Sequence, residues 1–381
     1  MLKNPIIKIA LFHSTAKSLT MATTFFLAIH LNNIGISGFQ IGTLFAVATL
    51  TSILTIIPSG FINDKANSKN LITLSLILNL IHFAGLSRFE EYPVLLALFF
   101  SGGLGLSIYI ASIDSLFLKT SKNDDTAKKI GIYQGLNYLF MGITIIIAGY
   151  ILNAAIPFQE LFKYTSYGFL ILIIISQIIL PNNKSTKFDI IHYKKDLLNP
   201  QALALMMMIF LFALHFGAEQ TNYGLFLKNY FNLNNLEIGL YMGSAIMVMA
   251  PSAIFLSKKI DKFKAKNVLL FGLLISGLGH ILMTVKTIEL SFLFRVIHEI
   301  ADSCTMFFLF FGVSKIFNLK RMGGNMGIIH FTSYLGTAIG ALLFGPIGAQ
   351  YGYHIPLIAS GCTTLIAFIL SLRLINHFDH K

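Results

Sequence analysis

The sequence predicts an all-α membrane protein, with twelve transmembrane helices arranged as two parallel six-helix repeats. Three observations carry this reading. Of the 381 residues, 55% are hydrophobic and only 12% charged, against roughly 25% charged in a soluble domain. Apolar stretches of spanning length recur about every 32 residues, room for a helix of roughly 20–25 residues and a short loop. The second half also repeats landmarks of the first at a nearly constant offset. A disordered chain is excluded because the sequence is far too apolar. A large water-soluble enzyme is excluded because it could not hide so much apolar surface.

The first six spans cover residues 6–31, 40–62, 70–86, 93–118, 130–152 and 164–180. Spans 7 to 12 cover 201–230, 236–256, 267–285, 290–317, 324–345 and 355–375. Span 1 opens like a signal peptide, with Lys3 and Lys8 before an apolar run. That run continues past Ile29 without a small-residue cleavage site, so it reads as a retained helix. The longest polar stretch, 181–200, carries Lys184, Lys187, Lys194 and Lys195. It divides the chain into an N-terminal bundle (1–180), a linker (181–200) and a C-terminal bundle (201–381).

The net charge of +12 follows from topology and needs no nucleic-acid partner. With the N-terminus in the cytoplasm, only Arg88, Lys163, Lys228 and Lys286 fall in the opposite loops, and Lys17 and Arg295 lie within spans. Every other Lys and Arg sits on the cytoplasmic side, the asymmetry expected of an inner-membrane protein with both termini and the linker inside. Trp is absent, which leaves the interfaces to Tyr and snorkelling Lys. Cys304 and Cys362 fall in apolar stretches without a CxxC or a histidine at ligand spacing. No disulfide, metal or cofactor is therefore expected.

One constant shift lays Ile41 and Gly42 on Ile238 and Gly239, Asp64 and Lys65 on Asp261 and Lys262, and Lys69 on Lys266. A shift one residue shorter pairs Gly131 with Gly327, Tyr138 with Tyr334 and Gly149 with Gly345. Between spans 2 and 3 the chain reads Gly60-Phe-Ile-Asn-Asp64-Lys65-Ala-Asn67-Ser68-Lys69. With twelve spans, a 6+6 repeat and a basic central loop, the chain resembles the major facilitator superfamily over its whole length. That family shows Gly-x-x-x-Asp-Arg/Lys-x-Gly-Arg/Lys-Arg/Lys in this loop. Asn67 and Ser68 replace the second Gly and one basic residue, and the second-half copy has Ser257 for the opening Gly. The resemblance implies a cytoplasmic gate latched by Gly60, Asp64, Lys65, Lys69, Asp261 and Lys262, with Asp114 as the acidic partner. Physically, the Gly admits a close helix approach, and the Asp can cap the next helix or pair with a base across the seam. The chain departs from the drug-exporter pattern. Phe99 stands where span 4 would carry Arg, and Gly135, Gly142 and Gly149 in span 5 lack a following proline.

Ionisable side chains inside a bilayer cost at least about 2.5–3.5 kcal/mol each and face a cavity or a partner. Span 10 carries Arg295, His298, Glu299 and Asp302 on one helical stripe, with two i,i+4 pairs. At about 1.5 Å per residue, Asp302 lies roughly 18 Å deep, and Lys17 in span 1 roughly 16 Å deep. Span 7 adds His215, Glu219, Gln220 and Asn222 before Gly224. The resemblance implies that spans 1, 4, 7 and 10 line a central cavity. Lys17, Gln220, Asn222 and Arg295 are the expected substrate ligands; Glu219, His298, Glu299 and Asp302 are the expected proton carriers. His13, His30, His82, His280 and His330 stand singly and read as packing residues.

The expected function is a secondary active carrier coupled to protons. Lys17 and Arg295 favour an anionic or polyhydroxylated substrate portion; Phe and Met accept an apolar one. Export of an amphiphilic solute is the leading direction, against uptake of an organic acid, sugar or nucleoside. The partners expected are a small-molecule substrate, protons and membrane lipid, with the chain a monomer. A non-transporting receptor of the same fold is the contrasting class. The string His298-Glu299-Ile-Ala-Asp302 misses HExxH at its second ligand, which leaves an intramembrane hydrolase without its metal. No Walker A sequence is present to hydrolyse ATP.

Overall fold

The computed structural model describes residues 4–121, 125–182 and 190–374. The first six helices are Pro5–Asn33 (α1), Gly38–Lys65 (α2), Ser68–Leu86 (α3), Tyr92–Thr120 (α4), Thr126–Asn153 (α5) and Phe158–Ile179 (α6). A short helix, Ile190–Leu197 (α7), occupies the linker. Span 7 is composite: Pro200–Ala218 (α8), a π-helical turn at Glu219–Tyr223, and Gly224–Tyr230 (α9). Spans 8 to 12 are Asn235–Phe263 (α10), Ala265–Leu282 (α11), Ile288–Ile316 (α12), Met322–Tyr351 (α13) and His354–Leu374 (α14). No strand occurs among the described residues.

Counting α8 to α9 as one, eleven helices among the described residues are long and apolar enough to cross a membrane. The twelfth, α1, is diluted by Lys17 and a run of hydroxyls. Ser14, Thr15 and Thr24 turn those hydroxyls back onto the Ala10, Leu11 and Thr20 carbonyls, so the helix stays satisfied without water. Leu54, Ile178 and Leu342 are among the most exposed large apolar side chains, a surface that suits lipid.

Local chemistry repeats along with the fold. Ser37 and Gln40 form a capping box that starts α2; Asn234 and Glu237, at the same offset, form one that starts α10. Packing repeats too. In the first half α1 packs on α5 and α6, α2 on α4, and α3 on α4 and α6. In the second, α8 packs on α13 and α14, α10 on α12, and α11 on α12 and α14. The halves meet along two equivalent seams, α5 with α10 and α2 with α13.

Backbone contact explains the glycines at these seams. A Cβ on Gly142 would strike the Gly243 carbonyl, and Gly131 and Gly149 are similarly pressed on α10, so the α5–α10 seam is tight along its length. On the α2–α13 seam the close approach is confined to the end bearing the linker, where Gly60 meets Gly323, and Gly327 meets Ile56 and Ile57. A Cβ on Gly42, toward the far end of α2, would meet nothing within 4 Å. This seam is shut at the linker end.

Candidate substrate, coupling and gating sites

The linker-end contact between the halves, the candidate gate, is built around Asp64. At the end of α2 its carboxylate accepts from the backbone N–H of Gly323 (2.9 Å) and Gly324 (2.7 Å), at the start of α13. The first helical turn leaves such N–H groups without intrahelical partners, and its partial positive charge favours a carboxylate. Lys119 Nζ and Tyr193 Oη donate to the same carboxylate, each at 2.6 Å. One side chain from the first half thus caps a helix of the second.

The linker helix α7 joins this contact, which the sequence did not disclose. Besides Tyr193, it presents Asp196 to Arg321 Nε and Nη2, both at 2.8 Å, and to Asn325 Nδ2 at 3.0 Å. Burial pushes the Asp196 carboxyl up, but the hydrogen bonds from Arg321 and Asn325 and the Arg321 charge outweigh it and hold the pKa below its ordinary value.

The other expected gate residues divide. Lys65 and Lys262 are exposed, and Lys69 Nζ donates to the Gln177 carbonyl of α6, inside its own half. The side chain of Asp261 lies outside the described residues. Asp114 is not the partner of the Asp64 loop. Lys119, further along α4 toward the linker end, reaches Asp64 instead. Asp114 accepts from Tyr133 Oη (2.6 Å) and pairs with His330 Nε2 of α13 (2.9 Å). His330 therefore joins the halves and is not merely a packing residue. His13 stacks on Tyr133 and contacts Tyr109 Oη at 3.3 Å.

Deeper in the C-terminal half lies a second, denser cluster. The π-helical turn at Glu219–Tyr223 shifts the helix phase, and Glu219 meets α12. Arg295 binds Glu219 and, at 2.5 Å, Glu299. Its guanidinium lies over the Tyr223 ring, 4.5 Å from the centroid. His298 Nε2 stands 3.4 Å from Glu219 Oε1 and 3.5 Å from Asp302 Oδ2. His215 Nε2 on α8 lies 3.1 Å from Asp302 Oδ2, and Ser276 Oγ on α11 donates to Asp302 Oδ1 at 2.5 Å. His280 Nδ1 on α11 lies 3.6 Å from Glu219 Oε1. Glu219 keeps 16% of its side chain exposed, against 5% or less for its charged and imidazole partners here. Glu219 is the open edge of the cluster.

The four residues expected from α12 are thus together, and Glu219 meets two of them, Arg295 and His298. His280 belongs with them, which corrects its reading as a packing residue; nothing in its sequence surroundings set it apart from the other lone histidines. Arg295 has its guanidinium taken by two carboxylates. Asn222 is buried and donates to Thr221 Oγ1 and the Phe344 carbonyl of α13. Gln220 is exposed. Lys17 stands apart in the first half: it feels the charge of Asp114, and no ion-pair partner lies within 4 Å of it among the described residues.

No curated protein matches the chain by sequence. Among solved structures, the human organic anion transporter MFSD10 (TETRAN) superposes with a TM-score of 0.76 at 14% identity, over 96% of this chain and 99% of that one. A bacterial homologue of the iron transporter ferroportin, in an outward-facing state, gives 0.75 at 13% identity, over 98% and 99%. At such identities the likeness is one of fold. The profile of the Major Facilitator Superfamily matches residues 10–265 and 205–381, and with its two six-helix repeats the chain belongs to that family.

Proposed function

We propose that the chain is a proton-coupled secondary active transporter of the inner membrane. It moves a small organic solute with an anionic or amphiphilic portion by alternating access, in the export direction. Family membership and fold support a secondary transporter; coupling, cargo and direction are our reading. The termini and linker face the cytoplasm, so the Asp64 gate closes the inner mouth. The 181–200 segment joins the bundles and, through α7, straps them there.

The observation that carries the reading is the C-terminal cluster, with three carboxylates, one guanidinium and three imidazoles around one open edge. Buried carboxylates and imidazoles can change charge when a neighbouring cation moves. Opening of the gate at one face and binding at Glu219 alter that neighbourhood. Arg295 belongs to this machinery, and Lys17, without an ion pair among the described residues, meets the anionic part of the solute.

Neutralising Glu299 (Glu299→Gln) or Asp302 (Asp302→Asn) should uncouple transport from the pH gradient while leaving exchange partly intact. Radiotracer counterflow and gradient-driven transport are compared in the same liposomes. Full retention of gradient-driven transport in both variants would remove these carboxylates from the proton path. Absence of counterflow in a folded wild-type protein, across a panel of organic anions, would favour a receptor.

A further inference from the structure

We infer that the cluster around Glu219 is a binding site for a divalent first-row transition metal of the zinc class, held by Glu219, His280 and His298, with Asp302 and His215 alongside. This extends the reading of the cluster as a coupling centre and rests on it only for the consequence in transport.

The argument begins with protons. His298 Nδ1 lies 2.9 Å from the Ser276 carbonyl, and a carbonyl only accepts, so the imidazole N–H is there. In the neutral ring its Nε2 then presents a lone pair. His215 Nδ1 donates in the same way to the Phe212 carbonyl at 2.5 Å, which leaves Nε2 bare. Ser360 spends its own proton on the Leu357 carbonyl (3.1 Å) and accepts from His280 Nε2 (2.9 Å), so His280 Nδ1 is bare as well. Three imidazole lone pairs and the oxygens of two carboxylates therefore converge. With the rings neutral, acceptors face acceptors, and a cation between them would relieve the repulsion.

The spacing suits a metal. Glu219 Oε1, His280 Nδ1 and His298 Nε2 form a triangle with edges of 3.4, 3.4 and 3.6 Å. A zinc ion with bonds of about 2.0–2.1 Å at tetrahedral angles spaces its ligands about 3.3–3.4 Å apart. The three atoms already stand as one face of that tetrahedron. A second triad, His215, His298 and Asp302, shares His298, and in each triad the ligand atoms lie within 4.8 Å of one another.

Two further features agree. The far nitrogen of each histidine is held by a carbonyl or hydroxyl, the arrangement that orients metal-binding imidazoles. With neutral imidazoles the cluster holds Glu219, Glu299 and Asp302 against Arg295, a net charge that one divalent cation cancels. Arg295 would keep Glu299 when a metal takes Glu219. The donor set, nitrogen and oxygen without thiolate, suits zinc, iron or nickel over copper(I).

The test uses the full-length protein, purified without a histidine tag and stripped with chelator. Zn²⁺ is titrated by calorimetry, and Co²⁺ serves as a spectroscopic probe of a tetrahedral nitrogen–oxygen site. One ion per chain is expected, with tetrahedral cobalt bands, and His280→Ala or Glu219→Gln should weaken binding by at least about 10-fold. Lys17→Ala should leave it unchanged. Should His280→Ala fail to fold, Ser360→Ala, which frees the His280 ring without removing it, should weaken binding by a smaller factor. Absence of stoichiometric binding, or binding indifferent to both Glu219→Gln and Ser360→Ala, would overturn the proposal and leave a protonated His298 as the cation. Proton coupling would still stand or fall on the counterflow comparison. Metal binding with intact coupling by Glu299→Gln and Asp302→Asn would uphold the site and sink that reading.

Discussion

The two halves share one packing scheme and hold their intramembrane charge in opposite ways. In the first, Lys17 and Asp114 stand in different helices, Lys17 without an ion pair and Asp114 tied to His330 across the seam. In the second, Arg295 is clasped by Glu219 and Glu299, and three histidines close around the remaining oxygens. Asp114 of the first half reaches outward, to His330 of the other half. The charges of the second face one another. The repeats thus carry different charge arrangements on one scaffold: a helix-capping carboxylate and a lysine without an ion pair among the described residues in one half, a dense ionic cluster in the other.

Removing each half's cation is the sharpest way to break this comparison. Arg295→Ala leaves Glu219 and Glu299 buried without their counter-ion, a change that typically costs about 3–5 kcal/mol. Thermal unfolding in detergent should show it as a large fall in midpoint. Lys17→Ala removes no ion pair, so its midpoint should stay near wild type while binding of an anionic solute weakens about 10-fold, roughly 1.4 kcal/mol. Equal destabilisation by both would erase the distinction between the halves.

The gate comes next in size. Asp64→Asn keeps an oxygen for one N–H of the α13 turn but loses the charge that holds Lys119 and the other N–H. Turnover should fall several-fold with substrate affinity spared, because the latch is remote from the cavity. Rates in proteoliposomes, measured beside equilibrium binding, check both parts. A fall in affinity as large as that in turnover would place Asp64 in the binding path.

These contrasts also mark what could be read from sequence. The repeat was legible because helix starts and tight interfaces impose local rules: Ser37 and Gln40 recur as Asn234 and Glu237, and Gly149 recurs as Gly345. The stripe of Arg295, His298, Glu299 and Asp302 was legible because one helix carries all four. His280 was not, since its partners come from the π-helical turn and α12, far away in the chain. The π-helical phase shift at Glu219 carries no periodic signature, so its place against Arg295, His280 and His298 could not be read from spacing. The strap of α7 was hidden in a basic stretch where Tyr193 and Asp196 resemble ordinary linker residues.

That strap gives the smallest expected effect and the one most dependent on solution conditions. Asp196 and Arg321 retain 16% and 21% of their side-chain exposure, so water and salt reach them. The pKa of Asp196 is lowered on folding, so its contribution is fully present above the ordinary carboxylate range and is lost as pH falls through the folded value. At neutral pH Asp196→Asn should loosen α7 by about 0.5–1 kcal/mol, the scale of a partly exposed ion pair. Hydrogen exchange at residues 190–197 should then speed up modestly, while exchange in α12 stays as in wild type. In acid, below the folded value, wild type and variant should converge, because the carboxylate has taken up its proton in both the strapped and the released state. High salt should narrow the gap at neutral pH as well. No gap at neutral pH would assign the strap to Tyr193 on Asp64 instead, and Tyr193→Phe would then show the larger loss.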